Sequence, residues 1–148
     1  MSVETLFSIA GNLALAGWLV LALAPYRSGL PRIVCVAIAL AIGMLYAALV
    51  GSYWTSADGG FGNLADVGRL FDHPGLLLAG WVHYLAFDLL VGLWERGEAR
   101  RIGLSRWLLV PCLLLTLMFG PLGWLAFMAL RWFRLRTRPA AARVAPAL

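Results

Sequence analysis

The chain has 148 residues, 62% of them hydrophobic and 13% charged, with a net charge of +5. A soluble domain carries about 25% charged residues, so the composition excludes a water-soluble domain of any size and leaves a small one-domain polytopic membrane protein. All twelve basic residues are arginines that flank apolar segments, a pattern of membrane-surface anchoring rather than nucleic-acid binding.

Crossing a bilayer takes about 20 apolar residues, and four segments meet that length: roughly 3–24, 33–51, 75–94 and 107–132. They predict an all-α integral membrane protein, a four-transmembrane-helix bundle over 1–138 with a disordered tail at 139–148. The opening MSVETLF carries Glu4 and no basic residue. A secretory signal needs a basic start and a small-residue cleavage site, so the first helix is expected to stay. In that helix Ser8, Gly11 and Asn12 share one face, where small residues allow close approach and Asn12 can hydrogen-bond across a contact or line a pocket. In the second helix Gly43 and Tyr46 are neighbours on one face. Cys35 and Cys112 each lie in an apolar run without a CxxC pattern and read as small buried hydrophobes.

The connection from Ser52 to Pro74 is the long one. SADGGFG reads as turn and loop, and NLADVGRLF as a short amphipathic helix. Asn63 suits the N-cap and Asp66, three residues on, suits the positive end of the helix dipole. Leu64, Val67, Leu70 and Phe71 form a stripe fit to lie on the bilayer surface or to close the bundle end. The helix is either an interfacial connector or a lid, and as a lid it would bring Asn63, Asp66 and Arg69 to a ligand.

The third segment contains WVHYLAFDLL, with His83 and Asp88 inside a membrane-length run. At about 100° per residue, Leu78, Ala79, Val82, Leu85, Ala86, Leu89, Leu90 and Leu93 crowd one half of the helix, which is expected to face lipid. The other half holds Gly80, Trp81, His83, Tyr84, Phe87, Asp88, Val91, Trp94 and Glu95. His83 and Asp88 diverge by about 140°, too far to bond directly but placed to border one cavity from two sides. An Asp at mid-membrane costs about 2.5–3.5 kcal/mol, whereas a polar clamp between membrane helices returns about 0.6 kcal/mol. That imbalance favours a functional pocket, with His83 and Asp88 as catalytic groups and Trp81, Tyr84, Phe87, Tyr46 and Asn12 shaping it. No metal is expected, because the two share no i, i+3 or i+4 face, and no cofactor is expected either.

In the fourth segment Pro121 cannot donate to the Leu117 carbonyl and is expected to kink the helix, with Gly120 and Gly123 leaving room beside it, so that Pro121 either widens the ligand cavity or serves packing alone. Four crossings would put both termini on one side, but the arginines then tie. Arg27, Arg32, Arg96, Arg100, Arg101 and Arg106 face one way, and Arg69, Arg131, Arg134, Arg136, Arg138 and Arg143 the other. The sequence has no Walker loop, no GxGxxG and no GxSxG. A small transporter built on Asp88 ranks last, because the arginines tie and no second intramembrane acid accompanies Asp88.

LALAGWLVLALAP, GNLADVGRLF, WVHYLAFDLL and FGPLG occur in that order and together resemble the ABA4-like family, over essentially the whole chain to about Arg134. The WxHxxxxDL element with a later Pro-x-Gly is its most specific part. The resemblance implies a four-helix integral membrane protein linked to carotenoids, as in plant neoxanthin formation, where violaxanthin is isomerised by opening an epoxide to an allene. The Arg-, Ala- and Leu-rich composition suits a bacterial member in the inner membrane, where violaxanthin is not expected. The expected ligand is therefore a carotenoid or other apolar isoprenoid held in the bilayer, by an enzyme of isomerase type or by a non-catalytic scaffold subunit. A homo-oligomer or a biosynthetic complex would supply its protein partners.

Overall fold

The computed structural model describes residues 1–137. Within them the chain is all-helical, with six α-helices and one short 3-10 turn: α1 (Val3–Leu23), α2 (Leu30–Tyr53), the turn Trp54–Ser56, α3 (Leu64–Asp72), α4 (Pro74–Arg101), α5 (Arg106–Phe119) and α6 (Pro121–Arg136). Three of them, α1, α2 with its 3-10 extension, and α4, are long and apolar enough to cross a membrane. The expected tail at 139–148 lies outside the described residues.

Two compact units divide the chain, residues 1–90 and 91–148, and α4 contributes to both. In the first unit, Ser2 caps α1 by accepting from the Thr5 amide, and Glu4 sits in the positive first turn. The inner face of α1 is Ala10, Ala14, Gly17, Trp18 and Leu21. Gly17 is the closest approach: a Cβ there would stand 2.9 Å from a Leu89 methyl of α4 and 3.3 Å from Ile38 of α2. The Cys35 thiol donates to the Gly17 carbonyl at 3.6 Å. Phe7 meets Trp81 as Gly17 meets Leu89, so α1 and α4 run parallel. Tyr53 lies on Gly75 and Tyr46 on His83, so α2 runs antiparallel to α4. Asn63 caps α3 as expected, accepting from the Asp66 amide at 2.9 Å.

Over residues 78–89 the helical wheel of α4 is occupied the other way round from expectation, whereas Leu90 is exposed and Glu95 buried as the wheel indicates. Leu78, Ala79, Val82, Leu85, Ala86 and Leu89, read as a lipid face, are buried. Trp81, His83 and Phe87 are exposed. The reason is physical: in a membrane the neighbouring helices are as apolar as lipid, so hydrophobicity alone does not mark the inner side. Small residues do, and Ala79 and Ala86 lie on the buried stripe.

In the second unit α4 runs on past Trp94 through the charged stretch ERGEARR, farther than the apolar pattern indicates. A Schellman turn ends it. Gly103 has φ 63°, and the Leu104 and Gly103 amides donate back to the Ala99 and Arg100 carbonyls. The single kinked helix over 107–132 does not form. The chain breaks at Gly120, with φ 47° and ψ −100°, and Pro121 starts a new helix at a position where its missing N–H costs nothing. Nor does Gly123 leave room, since a Cβ on it would lie 2.1 Å from the Thr116 backbone nitrogen. The result is a tight hairpin of α5 and α6.

Candidate functional site

The exposed face of α4 carries two lines of rings, each begun by a neighbouring helix. On one edge Phe7 of α1 meets Trp81 at 5.6 Å, and Trp81 meets Tyr84 at 5.6 Å. Tyr84, one helical turn before Asp88, gives its hydroxyl to the Asp88 carboxylate. On the other edge Tyr46 of α2 meets the His83 ring at 5.4 Å, and His83 stacks on Phe87 at 4.6 Å. Between the two lines the backbone is laid bare at Gly80, where the Phe71 ring of α3 packs so closely that a Cβ would stand 2.7 Å from it.

The Phe7–Trp81 edge opens at its lower end into a cavity of about 350 Å3, lined by Val3, Glu4, Phe7, Pro74, Leu77, Leu78 and Trp81. Its walls are apolar except for Glu4. At the other end of the edge Asp88 is half-buried. Its Oδ2 is shielded from solvent and has no hydrogen-bond partner among the described residues. A shielded carboxylate oxygen without a donor is costly, which singles out this atom on the face. His83 offers a ring nitrogen from the opposite edge.

A family model described as ABA DEFICIENT 4-like matches residues 5–127. The chain belongs to the ABA4-like family. No curated protein and no solved structure matches it. The match spans α2, α3, α4 and α5 and most of α1, and ends within α6.

Trp81, Tyr84, Phe87, Tyr46, His83 and Asp88, all anticipated from the sequence, come together on this one face. Asn12 does not join them. It is exposed on α1, turned about 140° from Phe7, the α1 residue that meets the face. Asn63, Asp66 and Arg69 use their polar groups on one another. The Asn63 amide donates to Asp66 Oδ2 at 2.8 Å and Arg69 pairs with Asp66 Oδ1. What α3 sends to α4 is the apolar Phe71. Pro121 belongs to the second unit, at the exposed start of α6.

The sequence reading does not bring Phe7 or Phe71 to this face: they are lone aromatics on other elements, and only tertiary packing places them there. Glu95, read from the sequence on the polar half of α4, belongs to the second unit. It is fully buried and accepts a hydrogen bond from the Thr116 hydroxyl at 3.0 Å. It is a second buried acid of α4, at the start of the charged stretch that follows Trp94.

Proposed function

We propose that this ABA4-like membrane protein holds a carotenoid or related apolar isoprenoid along the exposed ring-lined face of α4 and isomerises it there. The observation that carries the reading is Asp88 Oδ2, shielded and without a partner beside a run of aromatic rings. A long apolar ligand needs such a slot, and two parallel lines of rings can grip it from both sides. Rearrangement of an epoxide-type group needs a base for the departing proton and an acid for the oxygen. Asp88, which accepts from Tyr84, fits the base, and His83 on the other edge fits the acid. Because the face is open, the ligand enters sideways from the bilayer.

The exposure of Trp81 and Phe87, at 42% and 57%, also favours a second reading. The same face would then bind a pigment without changing it, as a subunit of a larger membrane assembly.

One purification separates the two. Protein extracted gently from cells that make carotenoids is examined by absorption spectrum, and its pigment is compared with that of the surrounding membrane. A bound pigment that differs from the membrane pool supports isomerisation, and an unchanged pigment supports the scaffold. Asp88→Asn keeps size and hydrogen bonding, and should lower conversion by roughly 10²–10⁴ while pigment stays bound. An Asp88→Leu variant that converts as well as the parent refutes the catalytic role.

A further inference from the structure

The second unit shows that the last apolar segment turns back on itself. Along α4 and α6 the contacts advance in step: Trp94 packs on Phe127, and Glu98 pairs with Arg131 at 2.6 Å. The Arg134 guanidinium then donates to the Gly103 carbonyl, just before α5 begins. So α6 runs in the direction of α4 and leaves at the end where α5 entered. The 14 residues of α5 reach only about 21 Å at 1.5 Å each, short of the ~30 Å hydrocarbon core. The tip is fixed by Gly120 and by Gly123 against the Thr116 backbone.

We infer that the α5–α6 hairpin enters and leaves the membrane on one side, and that its arginine-rich end docks on the anionic lipid headgroups of that leaflet. The end of the hairpin and the end of α4 carry Arg100, Arg101, Arg106, Arg131, Arg134 and Arg136. Glu98 pairs with Arg101 and Arg131, and by count the positive charges of this end outnumber its carboxylates. Phosphate headgroups match it in sign and in geometry.

The hairpin also changes the arginine tally of the second unit. If α5–α6 does not cross, Arg100, Arg101, Arg106, Arg131, Arg134 and Arg136 all lie on the side where α4 ends. Arginine-rich loops stay in the cytoplasm, so the ends of α4 and α6 are inside.

Single cysteines introduced by Ser56→Cys, Ser105→Cys and Thr137→Cys in the full chain test the path. Native Cys35 and Cys112 are buried and can remain. With a membrane-impermeant maleimide on oriented vesicles, positions 105 and 137 should label from the cytoplasmic face and position 56 from the other. Labelling of 105 and 137 from opposite faces overturns the hairpin. For the lipid, the parent is assembled in bilayer discs of equimolar phosphatidylglycerol and phosphatidylcholine, and the tightly held lipid is counted. The parent should enrich phosphatidylglycerol, Arg100→Gln with Arg134→Gln should lose about fivefold per arginine, and the matching lysine pair should retain most of it. Equal retention by the parent and the glutamine pair overturns the docking. Neither outcome bears on Asp88.

Discussion

Two helical glycines have opposite surroundings. A Cβ at Gly11 would meet nothing within 4 Å, whereas one at Gly123 would stand 2.1 Å and 2.5 Å from the Thr116 backbone nitrogen and Cα. Backbone cannot swing aside as a side chain can. Gly11→Ala should therefore be neutral or stabilising by up to about 1 kcal/mol, since alanine is the better helix former. Gly123→Ala should cost about 3 kcal/mol or more by forcing the hairpin apart. Melting of the two variants in one detergent checks the contrast, and equal melting would mean that the hairpin is not close-packed. At this scale the sequence is legible where a residue is chemically out of place, as Asp88 and His83 are within an apolar run. It is not legible where only geometry matters. Nothing in FGPLG distinguishes a glycine that leaves room from one that is already filled by another backbone.

The helix boundaries show the same division. α1 sits where its apolar pattern places it, and α3 where its pattern and the Asn63 cap place it, because Asn63 is a local signal that acts on an amide three residues away. The end of α4 was hidden, since hydropathy measures the apolar length and the helix goes on for two turns. Those turns are held by charge: Glu98 takes hydrogen bonds from Arg101 at 2.6 and 2.7 Å and from Arg131 at 2.6 Å. They lie beyond the apolar stretch that ends at Trp94. The Arg101 hydrogen bonds first, then that of Arg131, hold the Glu98 carboxyl down at about 2, below its ordinary 4.5. A depressed folded-state value means that the stabilisation is complete above the unfolded value and fades as pH falls from there towards about 2. The melting difference between the parent and Glu98→Gln should therefore stay constant from pH 8 to about 5 and shrink below it. A difference that grew on acidification would contradict the pairing. Pro121 gives the other element-scale test. As the exposed first residue of α6 it interrupts no hydrogen bond, so Pro121→Ala should change melting by less than about 1 kcal/mol. Removal of a mid-helix kink would have a larger effect.

For the whole molecule, composition alone indicates the lipid environment. The structure adds how much apolar surface the described helices present: Leu19, Ile33, Leu40, Met44 and Leu114 are among the exposed large side chains. Such a surface holds to the bilayer by apolar contact rather than by charge. The chain should stay in the membrane pellet after an alkaline carbonate wash and after high salt, and release by salt alone would contradict a buried apolar exterior. Two features of the whole were beyond the sequence. Hydropathy does not identify the inner side of α4, because lipid and neighbouring helix look alike to an apolar residue. Nor does FGPLG distinguish a turn from a kink, because a proline after a glycine can bend a helix or begin one, and only the path of the following chain decides.

The line from Phe7 through Trp81 and Tyr84 to Asp88 has a spectroscopic meaning as well as a chemical one. The Trp81 indole borders the cavity and lies 5.6 Å from the ring whose hydroxyl holds Asp88. Anything that enters the cavity, or any loss or gain of a proton at Asp88, therefore alters the surroundings of a natural fluorophore one ring away. The chain has seven tryptophans, so the signal of interest is the difference between the parent and Trp81→Phe. That difference spectrum reports occupancy and turnover at the face without a label, and it should disappear on binding of a polyene, which accepts excitation from an indole in contact with it.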